Sequence, residues 1–182
     1  MLRGHEYPNP SAPRSGTQDE LFAVLGALGI VTTTHRHRPV FKVEESRDLR
    51  GSLPGIHCKS LFMKDKIGAL WLAVVLEDRK LDLKILGGII GSARLSFASP
   101  ERLMEFLGVT PGSVTPFALI NDRECRVRVV LDAEVAAAEI ANFHPLSNDA
   151  TTAIQPGDLL RFIAHYGHNP MIVDLSGASP GN

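Results

Sequence analysis

His57-Cys58-Lys59-Ser60-Leu61-Phe62-Met63-Lys64-Asp65, followed after Lys66-Ile67-Gly68 by Ala69-Leu70-Trp71-Leu72-Ala73-Val74-Val75-Leu76, is the stretch that decides the fold. It reads as two strands, Cys58 to Asp65 and Ala69 to Leu76, around a charged turn from Lys64 to Gly68. Trp71 to Leu76 is apolar on both faces, which predicts a central strand buried under helices on either side. Lys59 lies inside the first strand, not at its wet end. An unpaired ammonium is costly to bury, so it either faces a cleft or lies on the solvent face of an edge strand.

Toward the amino terminus, Thr17 and Glu20 form a capping-box pattern. Leu21, Val24, Leu25 and Leu28 then repeat at helical spacing until Gly29. Ile30 to Arg36 is rich in β-branched residues and predicts a strand that Arg38-Pro39 breaks; Val43 to Leu49 predicts a short helix. Toward the carboxyl terminus the pattern predicts helices over Leu81 to Ile90, from the Ser99-Pro100-Glu101 cap to Leu107, and over Gly157 to Tyr166. Strands are expected at Phe117 to Ile120, Arg126 to Leu131 and Met171 to Leu175. Seven or so strands and five or so helices without strict alternation give an α+β domain with a mixed sheet. The expected organisation is a leader over 1–16, one domain over 17–176 and a tail over 177–182.

The bulk numbers fit one packed domain: 182 residues, 44% hydrophobic and 21% charged. No stretch approaches the roughly 20 apolar residues of a membrane span, and the first residues lack the apolar block of a secretory signal, so no membrane partner and a cytoplasmic location are expected. Cys58 and Cys125 form no CxxC pattern, so neither a disulfide framework nor a zinc clip is expected, and both read as buried or half-buried thiols. His35 and His37 share a strand face, but no third metal ligand is evident. A net charge of -1 leaves any nucleic-acid contact to a local cluster of Lys and Arg.

Two further segments carry candidate chemistry. In Gly108-Val109-Thr110-Pro111-Gly112-Ser113-Val114-Thr115-Pro116, a glycine and a proline bracket three small or β-branched residues. Such a loop either points successive amides at one acceptor, as an oxyanion cradle does, or is a plain surface turn. Asn142-Phe143-His144-Pro145-Leu146-Ser147-Asn148-Asp149-Ala150-Thr151-Thr152 is dense in hydrogen-bonding groups: His144, Asn148 and Thr151 either orient a water or a substrate amine, or serve as turn chemistry.

In order and in sequence, Lys59-Ser60-Leu61-Phe62, Gly112-Ser113-Val114-Thr115-Pro116 and Asn142 through Thr152 resemble the YbaK/ProX family of aminoacyl-tRNA editing domains, over roughly 17–175. The resemblance implies the mixed α+β editing fold and hydrolysis of the ester joining a mischarged amino acid to the 3′-terminal ribose of tRNA(Pro). The chemistry implied needs no metal or organic cofactor. Lys59 and His144 would be catalytic, Lys59 holding the ester carbonyl or terminal phosphate and His144 acting as base or shaping the pocket. Ser60, Phe62, Gly112, Ser113, Val114, Thr115, Pro116, Asn148 and Thr151 would contact the aminoacyl group, with the Lys59 amine and the Gly112–Pro116 turn expected to line one hollow. Asparagine commonly follows the family's lysine, and Ser60 departs from it. The acceptor stem of tRNA(Pro) is the implied partner, met by Lys64 and Arg94 with Lys66 and Arg47 as further candidates, and prolyl-tRNA synthetase is a second expected partner. The histidine segment resembles the alanine-specific branch. Cysteine- or serine-directed editing, and a non-catalytic module that binds tRNA or an amino acid, are the rival readings.

Overall fold

The hairpin from His57 to Leu76 is the centre of an eight-stranded sheet in a computed structural model that describes residues 16–38 and 53–179. In chain order its elements are α1 (Gln18–Ala27), β1 (Thr33–Arg36), β2 (Ile56–Asp65), β3 (Leu70–Leu76), α2 (Leu83–Ile90), β4 (Leu95–Phe97), α3 (Pro100–Leu107), β5 (Val127–Asp132), α4 (Ala133–Ala137), β6 (Ala141–Phe143), β7 (Ala150–Ile154), α5 (Pro156–His165) and β8 (Met171–Val173). The sheet runs β1-β7-β6-β2-β3-β5-β8, with β4 paired to β2 beside this path. Parallel pairs (β2–β6, β3–β5, β5–β8) mix with antiparallel ones, which makes the α+β class a property of the structure.

The β2–β3 turn closes on Asp65. Its carboxylate accepts the amides of Ile67 and Ala69 and the indole N–H of Trp71. Burial by itself would raise this carboxyl, but the Trp71 and backbone hydrogen bonds outweigh it and hold the group below its usual range. β3 is buried on both faces, as its apolar run predicts. Leu72 and Val74 join Leu21, Leu25, Leu107, Phe117 and Phe162 in one core, while Trp71, Ala73 and Val75 join Met63, Leu86, Ile90 and Leu175 in a second on the opposite face. Each buried Leu, Val, Ile, Met or Phe among them contributes about 1.5–3 kcal/mol by leaving water.

The capping box at Thr17 forms as read, and Ser99 caps α3. Other expectations need correction. Phe117 to Ile120 is not a strand but part of a 3-10 helix over Pro116–Asn121: Thr115 accepts the Phe117 amide at its hydroxyl and the Ala118 amide at its carbonyl, and a short apolar run does not by its period distinguish strand from buried helix. β1 starts at Thr33 because the Ile30 amide closes α1 on Leu25 O. α2 starts at Leu83 because Asp82 caps it, and β8 ends at Val173, where Asp174 accepts the Ser176 amide and turns the chain. Cys125 is exposed, not buried. Three short strands, β4, β6 and β7, and helix α4 were not anticipated. The helix expected over Val43 to Leu49 lies outside the described residues, as does Arg47.

Candidate active site

β2 pairs with β3 over its length from Cys58 to Lys64, but its other edge is shared. β6 pairs with it only at Ile56 and His57, and β4 only from Met63 to Asp65. Among the described residues no strand lies along this edge of Cys58–Leu61, so the described sheet is split there. Gly55 sets where β6 joins: at φ +93 a Cβ would fall 2.5 Å from Ile140 O, so only glycine lets the two backbones meet closely enough for the Ile56 amide to reach that carbonyl at 2.9 Å. The parallel register, continued two residues, sets Lys59 level with His144, but β6 ends at Phe143 and the chain turns away.

Lys59 borders the split. Its ammonium donates to Arg79 O at 2.6 Å. The Arg79 guanidinium is anchored to the fully buried Asp132 at 2.7 Å and to Glu134. Desolvation lowers the Lys59 pKa below its ordinary value, and the nearby carboxylates of Glu77 and Asp78 oppose that shift. The regular β2–β3 register pairs Lys59 with Val75 and so projects it on the face of the second core, with Met63. Ser60 and Phe62 project on the other face, where Phe62 joins the first core. The Ser60 hydroxyl is buried without a hydrogen-bond partner among the described residues.

Across the split lies the histidine segment. A carbonyl only accepts, so His144 bonded to Ala150 O at 3.0 Å carries its proton on Nδ1 and presents Nε2 as a base or acceptor. His37 is fixed in the same tautomer by Arg38 O and accepts at Nε2 from the Thr151 hydroxyl at 2.9 Å. The two imidazole rings lie 6.4 Å apart. The β6–β7 and β2–β6 registers place Thr151 on the face of Lys59. Asp149, accepting from Ser147 and from Gln18 of α1, is held below the usual carboxylate range chiefly by the Ser147 hydroxyl.

The Gly112–Pro116 turn hangs from the end of α3 on the other side of the sheet, with Val114 packed against the first core. Gly112 has φ +90, and a Cβ there would stand 3.9 Å from Asn148 Nδ2, so turn and histidine segment meet. The Ser113 amide is used by Thr110 O at 3.0 Å. The amides of Gly112, Val114 and Thr115 have no partner among the described residues. Ser113, Thr115 and Pro116 are buried and form the floor of the turn.

The structure therefore brings together His144 with Thr151 and Gly112 with Asn148, and it adds His37, whose only signal in the sequence is its two-residue spacing from His35. It does not bring the Lys59 ammonium against the turn: strand alternation sends the side chain to the face opposite the one on which the turn packs. Lys64 and Arg94 gather at the far end of β2, where Lys64 pairs with Ser96, two residues beyond the exposed Arg94, and Lys66 is exposed in the adjoining turn. Among the described residues no three His, Cys, Asp or Glu side chains are grouped to hold a metal ion. No helix among them is long and apolar enough to cross a membrane.

Known proteins are similar to this chain in fold and in sequence. A solved structure described as a candidate trans-editing enzyme for prolyl tRNA synthetase superposes with a TM-score of 0.65 over 88% of this chain and 97% of its own at 20% identity, a likeness of fold. The prolyl-tRNA synthetase associated domain-containing protein 1 of Danio rerio is 40% identical over 158 residues, 86% of each chain. The prolyl-tRNA editing protein ProX of Acetoanaerobium sticklandii is 35% identical over 156 residues, 85% of this chain and 95% of its own. The family model of the aminoacyl-tRNA editing domain matches residues 37–162, spanning β2, the Gly112–Pro116 turn and the histidine segment, and the chain belongs to the aminoacyl-tRNA editing domain family.

Proposed function

We propose that the protein is a trans-editing deacylase that hydrolyses the ester of an incorrect amino acid, alanine first, on tRNA(Pro), working in the cytoplasm beside prolyl-tRNA synthetase. The observation that carries this reading is the split beside β2, with Lys59 on one lip and His144, Thr151 and the Gly112 turn on the other, within a chain of the editing family. The ester enters the split. Water adds to the acyl carbon, the bond from that carbon to the ribose oxygen breaks, and the free amino acid leaves with the ribose hydroxyl restored. Water needs a base or a positioned hydroxyl: Nε2 of His144 supplies the first, and the substrate's neighbouring ribose hydroxyl is a source of the second. The oxyanion is met by the unpartnered amides of Gly112, Val114 and Thr115. Lys59 leaves Arg79 O on its flexible four-carbon stem and neutralises the carbonyl or terminal phosphate.

Selectivity rests on exclusion. A missing methylene is worth only about 1–3 kcal/mol, so a site for alanine must reject the proline ring sterically, and Val114 and Pro116 supply bulk at the turn. Cysteine and serine esters are the competing substrates, and the unpartnered hydroxyl of Ser60 is the observation that keeps serine in view. A deacylation assay on Ala-, Cys-, Ser- and Pro-tRNA(Pro) ranks them, with Ala cleared fastest and Pro spared. Lys59→Ala should abolish clearance with the fold intact by circular dichroism. Near-normal turnover, or no clearance of any ester by the parent protein, rejects the proposal.

A further inference from the structure

Among the large apolar side chains exposed outside both cores, the aromatic one is Phe97, and the chemistry described so far does not use it. Phe97 is 61% exposed, although Leu95 on the same short strand is 6% exposed. A single exposed ring is ordinary on a protein surface; its placement sets this one apart. β4 continues the edge of β2 beyond the split, and the Ala98 amide ties its end to Phe62 O at 3.1 Å. Phe97 pairs with Met63, so it projects on the face that carries Lys59. Four residues of strand separate Met63 from Lys59, about 13 Å at roughly 3.3 Å each, and the step across to β4 brings the total to about 14 Å. That is the length of about four stacked nucleotides at roughly 3.4 Å apiece, fewer if the strand is extended. Exposed cations lie beyond the ring, at the end of the strand pair away from Lys59: Arg94 is three residues before Phe97, and Lys66 follows Asp65, the partner of Leu95.

We propose that Phe97 is a stacking platform for an unpaired nucleotide at the 3′ end of the aminoacyl-tRNA, with Arg94 and Lys66 on the adjoining phosphates, so that the single strand runs along β2 and delivers its ester to the split. The proposal rests on the deacylase reading for the identity of the strand. An aromatic face binds any base without hydrogen-bond readout, and neighbouring cations add attraction for the backbone. A protein partner is the less suitable occupant, since a stable protein interface needs about 1,000 Å² or more, whereas one exposed ring with two cations beyond it on the same strand pair suits a base and its backbone phosphates.

The test uses the full chain and two probes: aminoacyl-tRNA, and a single-stranded RNA tetranucleotide with the sequence of the tRNA acceptor end. Phe97→Ala should raise KM for aminoacyl-tRNA and Kd for the tetranucleotide by about 5- to 150-fold, the equivalent of ~1–3 kcal/mol for one stacked base. Phe97→Trp should stay within about twofold of the parent, Phe97→Leu should fall with the alanine variant, and turnover of an alanine methyl ester should be unchanged in all three. Equal tetranucleotide affinity in parent and Phe97→Ala, a leucine variant as good as the parent, or an equal loss on the methyl ester overturns the proposal. So does a parent that does not bind the tetranucleotide. Because that binding is read without turnover, a protein that bound the strand through Phe97 yet cleared no ester would reject the deacylase reading and leave this one standing.

Discussion

Replacing Arg79 by Met removes the partner of a carboxylate that has no access to water. Asp132 is 0% exposed, its Oδ2 lies 2.7 Å from Arg79 Nε, and its Oδ1 accepts the Glu134 amide to start α4. Breaking such a pair from one side costs about 3–5 kcal/mol, because the remaining charge stays buried and uncompensated. Glu134 is more than half exposed and screened, so its contact with Arg79 adds little. At about 2–4 °C per kcal/mol for a chain of this size, Tm should fall by about 6–20 °C. Adding Asp132→Asn removes the stranded charge and keeps an oxygen to cap α4, so the double variant should regain more than half of the loss. Urea unfolding monitored by Trp71 fluorescence measures both. An Arg79→Met protein within 1 kcal/mol of the parent, or a double variant less stable than the single one, refutes the reasoning.

Gly55→Ala should cost at least about 3 kcal/mol by thermal unfolding, since φ +93 disfavours a side chain and the new methyl meets Ile140 O at 2.5 Å; a change below 1 kcal/mol would mean that the β2–β6 junction yields. Asp65 has a folded pKa below its ordinary 3.8, so its contribution to stability is present above that value and lost as pH falls through the lower folded value. Asp65→Asn should therefore be less stable than the parent at neutral pH, with the gap narrowing in urea titrations below about pH 4; a gap independent of pH contradicts this. Deacylation should decline on the alkaline side at a lower pH than an ordinary lysine at 10.5 dictates, because desolvation favours the neutral amine of Lys59, and Lys59→Arg should move that decline upward if it retains activity. Arg94→Ala should weaken binding of aminoacyl-tRNA and leave hydrolysis of an alanine methyl ester unchanged; equal loss on both would remove Arg94 from recognition.

The centre of the fold was legible because its signals are dense. The two-faced apolar run of β3, the Thr17 capping box and the Ser99-Pro100 start of α3 all fix local structure through nearest neighbours. β4, β6 and β7 are not legible because three to five residues carry too little period, and they are strands because β2, for β4 and β6, and β1, for β7, supply hydrogen-bond partners from distant sequence. The Pro116–Asn121 helix was misread for a related reason: burial on all sides erases the pattern that separates the two kinds of element. At the site, residue types and segments were readable, and the contact of Gly112 with Asn148 joins two of them. The direction of Lys59 was not, since it follows from a strand register that only the folded hairpin defines. His37 gained its place through Thr151, a neighbour 114 positions away.

β2 is the spine from which two leaves of sheet hang, and they are stitched to it unequally. β3 is held by seven paired residues, whereas β6 is held by two. Beyond those pairs the Asn142 side-chain amide donates to Pro54 O and Ile56 O, close to the same junction, and the remaining tie to the β6–β7–β1 leaf is apolar packing through Ala141, Phe143 and Ile154, which slides more readily than a ladder of backbone hydrogen bonds. The gap between the Lys59 lip and the His144 lip is thus gauged by two rungs near Gly55, and an ester gripped from both sides selects one aperture. Choice between amino acids of nearly equal size is then governed by backbone stitching some distance from the residue being judged, as well as by the walls that touch it.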